Sequence, residues 1–234
     1  MAPEDGWGGR LWADLLFGPN LMVRGTLNGA WLEDDESFDG LSGSLVTEQR
    51  AEIDAWWATL EGFYLWHFGR PARPHTMIGL GGGIEYADVE NSFEEQTAFI
   101  GRTTASTLQE STFWGIGPRI AGILDHELGQ SGVHFFAEAG VAYLFGDRDD
   151  DLQQQVFTTA NHLTANDGGN VWHFGTRLGV GYVVPMGTTN FRIDVGWRHD
   201  IFNQSNNVLY LPENRGGDTS FGGPFLAASV DLPL

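Results

Sequence analysis

The chain has 234 residues, enough for one large domain, and carries a formal charge of −19. All twelve basic residues are arginine, cysteine is absent and glycine reaches 33 residues. These values exclude a disulfide framework and a thiolate metal site, and the acidity excludes a nucleic-acid partner, which calls for a basic face.

Nine strand-like segments follow in chain order, at about 7–17, 20–32, 52–66, 76–89, 111–126, 133–146, 171–185, 189–202 and 222–234. Most run about 11 to 16 residues, whereas soluble strands average five or six. A tilted membrane-spanning strand needs about 9–11. Short connections at Gly18-Pro19, 69–75, 129–132 and 185–189 alternate with long ones at 33–51, 90–110, 147–170 and 203–221. Short turns on one side and long loops on the other are the outer-membrane pattern. No apolar run reaches 18 residues, so a transmembrane helix is excluded. MAPEDGWGG (1–9) has neither the basic nor the apolar region of a leader. An exported protein is therefore expected here in a mature or truncated form.

The alternation within strands assigns faces. In FRIDVGWRH (191–199), Phe191, Ile193, Val195 and Trp197 alternate with Arg192, Asp194, Gly196 and Arg198. In 171–185, Leu178, Val180 and Tyr182 oppose His173, Gly175 and Arg177. The polar faces are mostly glycine with lone charges of both signs. That composition fits an enclosed interior better than a surface bathed in water. The expected fold is all-β: an antiparallel up-and-down transmembrane barrel of eight to ten strands, one domain over residues 1–234. Leu178, Val180, Tyr182, Phe191, Ile193, Val195 and Trp197 are expected to face lipid. Trp and Tyr near strand ends, such as Trp7, Trp31, Tyr64, Trp114 and Trp172, fit interfacial girdles. Arg10, Arg24, Glu61, Glu85, Arg119, Glu138, Arg177, Arg192, Asp194 and Arg198 are expected to line the lumen, with Asp14 and Asp125 beside them. Such charges either set the ion preference of an aqueous path or pair across a narrow cylinder and seal it. On this assignment Val195→Arg destabilises the barrel and Gly196→Ala does not.

FWGIGPRIAGILDHELGQSGVHFFAEAGVAYLFGD (113–147) resembles a hairpin of the Legionella-type major outer membrane protein family of pore-forming barrels. Gly115, Gly117, Pro118 and Arg119 stand where that hairpin has GxGPR. Residues 65–93, 170–203 and 223–234 are similar to its other hairpins and closing strand, so the resemblance runs from about residue 50. It departs in ending on Leu234 rather than an aromatic residue. The resemblance implies an outer-membrane, porin-like protein passing ions or small solutes. Bacterial single-chain barrels usually have an even strand number. Ten strands are therefore expected for the complete barrel, with the first missing; the alternatives are that 33–51 hides another strand, for which LSGSLVTEQ (41–49) is the candidate, or that 7–17 is not a strand. A plugged barrel that anchors or decorates the surface, as an oligomer or with an envelope partner, is the alternative. Outer-membrane lipids and lipopolysaccharide are the expected partners of either.

Other motifs carry less. EDDESFD (33–39) and DRDDD (147–151) are acidic segments that suit solvated loops or loop-bound Ca²⁺ or Mg²⁺, although neither has the EF-hand pattern. No resident cofactor is otherwise implied. WRHDIFNQSNN (197–207) holds a His and a Ser six residues apart, too far for the close His–Ser spacing of a barrel lipid hydrolase. The protein is therefore not expected to be an enzyme. His67, His75, His126 and His134 flank two short turns and read as interfacial side chains. GLGGGIEY (79–86) has its glycines inside a strand and is no dinucleotide loop.

Overall fold

The computed structural model describes residues 5–39, 45–69, 75–99, 102–129, 131–186, 189–207 and 216–233. They form nine strands: β1 (Asp5–Leu16), β2 (Leu21–Asp39), β3 (Leu45–Phe68), β4 (Thr76–Phe99), β5 (Arg102–Glu127), β6 (Val133–Val156), β7 (Thr159–Met186), β8 (Thr189–Asn207) and β9 (Gly216–Pro233). Each strand pairs antiparallel with the next, and β1 closes the ring by pairing in parallel with β9. The described residues thus make a nine-stranded closed barrel, one strand for each of the nine strand-like segments and within the expected eight to ten. Leu45–Gln49 of the supposed extra strand is the start of β3, and residues 41–44 lie outside the described residues.

The strands are longer than the hydropathy pattern indicates. They run from 12 residues in β1 to 28 in β7. The described residues of 90–110 and 147–170, expected as loops, are paired strand apart from the turn at 157–158: Glu90↔Thr112 through Ala98↔Thr103 in one hairpin, and Asp147↔Gly168 through Val156↔Thr159 in another. The physical reason lies on the outward face. Charged or amide side chains take over from apolar ones at Glu33, Asp54, Asp88, Asp147 and Asn170. Backbone pairing continues regardless, because the ladder needs N–H and C=O groups and not apolar side chains. The acidic segments 33–39 and 147–151 are therefore parts of β2 and β6 rather than loops.

Below that change lies a band of outward apolar side chains: Ile78 to Tyr86 in β4, Trp114 to Leu124 in β5, Val133 to Phe145 in β6 and Trp172 to Val184 in β7. These bands span about 9–13 residues, the length that crosses a hydrocarbon layer as a tilted strand. Aromatic pairs edge the band, with Trp56 and Tyr86 ring centroids 4.9 Å apart and Tyr143 and Trp172 4.6 Å apart. At the opposite end the turns are tight. Gly18 (φ 74°), Gly129 (φ 76°) and Gly132 (φ 74°) adopt the left-handed backbone that reverses the chain there.

Candidate functional site

The inward face holds the charges together with much aromatic surface. Glycine on that face lets long side chains reach across. A Cβ at Gly140 would stand 2.3 Å from Nη2 of Arg119, so this guanidinium occupies the space that the missing side chain leaves.

Two ion-pair clusters fill the middle of the barrel. In the first, Glu138 on β6 accepts from Arg10 on β1 at 3.2 Å, from Arg24 on β2 at 3.0 Å, and from Arg177 on β7. Arg24 also grips Asp14 through two parallel bonds of 2.7 Å, a bidentate geometry that holds both groups in register. In the second, Arg119 on β5 donates to Glu61 on β3 at 2.9 Å and to Glu85 on β4 at 2.6 Å. Glu85 is also bonded to His173 Nδ1, and His173 Nε2 lies 3.2 Å from Asp200, which pairs with Arg198. A third, smaller cluster sits nearer the short turns. There Arg192 donates to Asp125 at 2.7 Å and to Asp194 at 2.8 Å, with His134 3.3 Å from Asp194.

All ten sequence-derived lumen residues lie inward in these clusters. Six arginines meet seven carboxylates there, so nearly all of the −19 charge lies elsewhere. Carboxylate partners hold the arginines at low exposure. Removing one partner of such a pair leaves a buried charge uncompensated. The cavity between Arg10, Glu61, Arg119, Glu138 and Arg198 measures about 20 Å³, room for about one water molecule.

Sequence reasoning missed the aromatic interior. Above the charges lies an apolar layer of Ala30, Ala55, Trp57, Ala87, Val89, Phe113, Ala142, Leu144, Val171, Phe202 and Phe221. Its members come from β2 through β9, eight of the nine strands. Trp57 meets Phe202 edge-on at 5.4 Å and Phe221 at 6.1 Å. Below the charges, Met22, Phe63, Leu65, Ala121 and Ile123 form a second layer, and Trp12, Phe136, Phe225 and Ala227 a third cluster. The strand period carried the signal: Trp57, Phe63 and Phe113 are sequence neighbours of outward Trp56, Tyr64 and Trp114, so parity turns them inward. His173 and Asp200 were likewise not counted among the charges, although they share the parity of Arg177 and Arg198.

On the outer surface, Leu178, Val180, Tyr182, Ile193, Val195 and Trp197 are exposed and Phe191 is half-buried. The histidines divide. His67 and His75 stack at the short-turn end with Nδ1 and Nε2 3.2 Å apart, and His126 bonds Thr76 at 2.8 Å. His134 departs from its expected interfacial position: it is buried against Asp194, because it has the inward parity of Glu138. His199 faces outward, and the Ser205 side chain lies outside the described residues. Among the described residues, no group of three or more His, Asp or Glu side chains is arranged to hold a metal ion. In the segment expected to offer loop Ca²⁺ or Mg²⁺ ligands, Asp150 turns inward to Ser111 at 2.6 Å and Asp151 pairs with His162 at 2.7 Å.

A family model described as the Legionella pneumophila major outer membrane protein precursor matches residues 73–232, more than half of the chain. The chain belongs to the Legionella major outer membrane protein family. It is an all-β barrel protein of the bacterial outer membrane. No curated protein and no solved structure matches it. The family match takes in β4 to β9 and with them Glu85, Arg119, Glu138, Arg177 and Arg198. The partners Arg10, Asp14, Arg24 and Glu61 come from the strands before it.

Proposed function

We propose that this family member is a sealed barrel, a structural and surface-forming protein of the outer membrane without catalytic activity, rather than an open porin. The observation that carries this reading is the apolar layer drawn from eight strands around Trp57, Phe113, Phe202 and Phe221. A hydrated ion crossing it would shed its water among side chains that offer no replacement ligands. The charges beneath it, which an open pore would expose to water, are paired across the lumen. The barrel interior at this strand number is narrow enough for side chains to fill.

In this reading the outward band containing Leu178, Val180, Tyr182, Phe191, Ile193, Val195 and Trp197 faces lipid. The short turns lie on the periplasmic side. The tall, acidic part of the wall stands outside, among lipopolysaccharide headgroups and beyond, where a second copy or an envelope component would meet it. Liposome swelling tests the proposal. Vesicles carrying the inserted protein should swell in isotonic small sugars no faster than empty vesicles, and rapid swelling would restore the porin reading.

A further inference from the structure

The wall is uneven at the seam between β1 and β9. The β1–β9 pair is the parallel one, and it holds only from Arg10↔Ala227 to Leu16↔Pro233. On their other sides β1 stays paired up to Asp5↔Glu33, and β9 up to Phe202↔Thr219 and, after a register shift, at Asn206↔Gly217 and Asn207↔Gly216. Above Arg10 the two strands diverge, so their facing edges have no partner across the fork among the described residues. Backbone groups at lipid depth are not left to hydrocarbon. Pro224, a residue that strands tolerate at edges, stands on this stretch of β9.

Two cavities meet at the fork. On the outer surface an apolar groove of about 660 Å³ runs between Trp7, Leu11, Leu27, Trp56 and Leu226, with Gly9 and Gly29 beneath. This is within the range of about 300–1,000 Å³ that small-molecule sites occupy. A notch of about 190 Å³ leads from Trp7 and Gly223 inward to Phe221 and Arg198. Arg10 borders both the groove and the central chamber, and Arg198 both the notch and that chamber. Their side chains are 7% and 9% exposed. Arg10 Nε and Arg198 Nη2 are nonetheless buried without an acceptor. A charged donor left without an acceptor is costly, and each guanidinium keeps one such atom in addition to its bond with its own carboxylate, Glu138 for Arg10 and Asp200 for Arg198.

We infer that the β1–β9 fork binds an anionic single-chain lipid of the fatty-acid type. Its acyl chain lies in the outer groove, and its carboxylate turns inward through the notch to accept from Arg198. Carboxylate oxygens match guanidinium donors in charge and geometry. They also serve backbone N–H groups that the diverging strands leave open. The site opens from the outer wall onto the edge of the charge cluster, and its occupation does not require that the barrel conduct.

The test uses the full chain in nanodiscs of zwitterionic phospholipid, incubated with a diazirine-bearing fatty acid or the matching fatty alcohol. Cross-links are mapped by mass spectrometry. Label from the acid should concentrate on Trp7, Leu11 and Leu226, and the alcohol should label these positions several-fold less. Gly9→Phe should remove the label while the barrel stays folded, because a Cβ at Gly9 meets nothing within 4 Å and the ring fills the groove. Arg198→Gln should bring acid labelling down to the alcohol's level. Label spread evenly around the apolar band, equal labelling by acid and alcohol, or unchanged labelling in folded Gly9→Phe would overturn the inference.

Discussion

His173 lies flat on Phe202, with ring centroids 4.1 Å apart and planes 4° from parallel. The two residues are register partners on β7 and β8. The imidazole edge carries Glu85 and Asp200, while the face of the ring belongs to the apolar layer. One contact thus joins the charge clusters to the apolar layer above them. The interior is a layered core, with ion-paired side chains between apolar layers.

Glu138 is the anion shared by Arg10, Arg24 and Arg177. Glu138→Gln leaves three buried guanidiniums around a neutral amide and should destabilise the barrel by about 3–5 kcal/mol. Urea unfolding in lipid vesicles measures it. Asp147→Asn, on the exposed outward face, is the control and should stay within about 0.5 kcal/mol of the natural chain.

Phe113 is fully buried in the upper layer. Phe113→Ala removes an aromatic ring that packs against several strands, and should cost about 3–5 kcal/mol in the same measurement. A loss no larger than that of an exposed outward residue would mean that this layer is loosely packed.

Val195 is 53% exposed on the outward face. Val195→Arg should destabilise by about 2–4 kcal/mol if it sits near the bilayer midplane. The sequence assigns no cost to its neighbour's substitution, Gly196→Ala, and the structure corrects this. A Cβ at Gly196 would stand 2.2 Å from the Leu178 carbonyl oxygen and 2.8 Å from the Gly179 Cα. Backbone must shift to admit it, and the expected loss is about 1–3 kcal/mol. Facing alone does not decide what a position tolerates.

The Asp151 carboxyl, in the tall part of the wall beyond the membrane band, is held below the usual carboxylate range, chiefly by its hydrogen bond with His162. A depressed carboxylate contributes stability above its unfolded pKa and loses it as pH falls through the folded value. Hydrogen exchange at the β6–β7 tip should therefore be steady from neutral pH down to the ordinary carboxylate range and rise only below it. His162→Gln should raise exchange at this tip already at neutral pH and flatten the rise at low pH, because a carboxyl whose folded and unfolded pKa coincide contributes no pH-dependent stability.

Much of the barrel was legible because its physics is periodic. Alternation in 171–185 and 189–202 marks the two faces, and the inward positions of Arg119, Glu138 and Arg177 follow from it. Three things were not legible. The tall strands carry polar residues on their outward face beyond Asp88 and Asp147, so hydropathy no longer distinguishes them from loops. Trp57, Phe63 and Phe113 adjoin outward aromatics and disappear into a mixed aromatic pattern unless parity is counted through them. The pairing of Arg10 with Glu138 joins residues 128 apart, and only ring closure brings β1 that close to β6.

The central claim is that the apolar layer seals the lumen, and single-channel conductance in a planar lipid bilayer at high salt tests it most directly. The natural chain, shown by its insertion to be in the membrane, should be silent. The variant Trp57→Ala, Phe202→Ala, Phe221→Ala, which empties the centre of that layer, should give discrete current steps. Steady steps from the natural chain would contradict the account and return the lumen charges to the role of a pore lining.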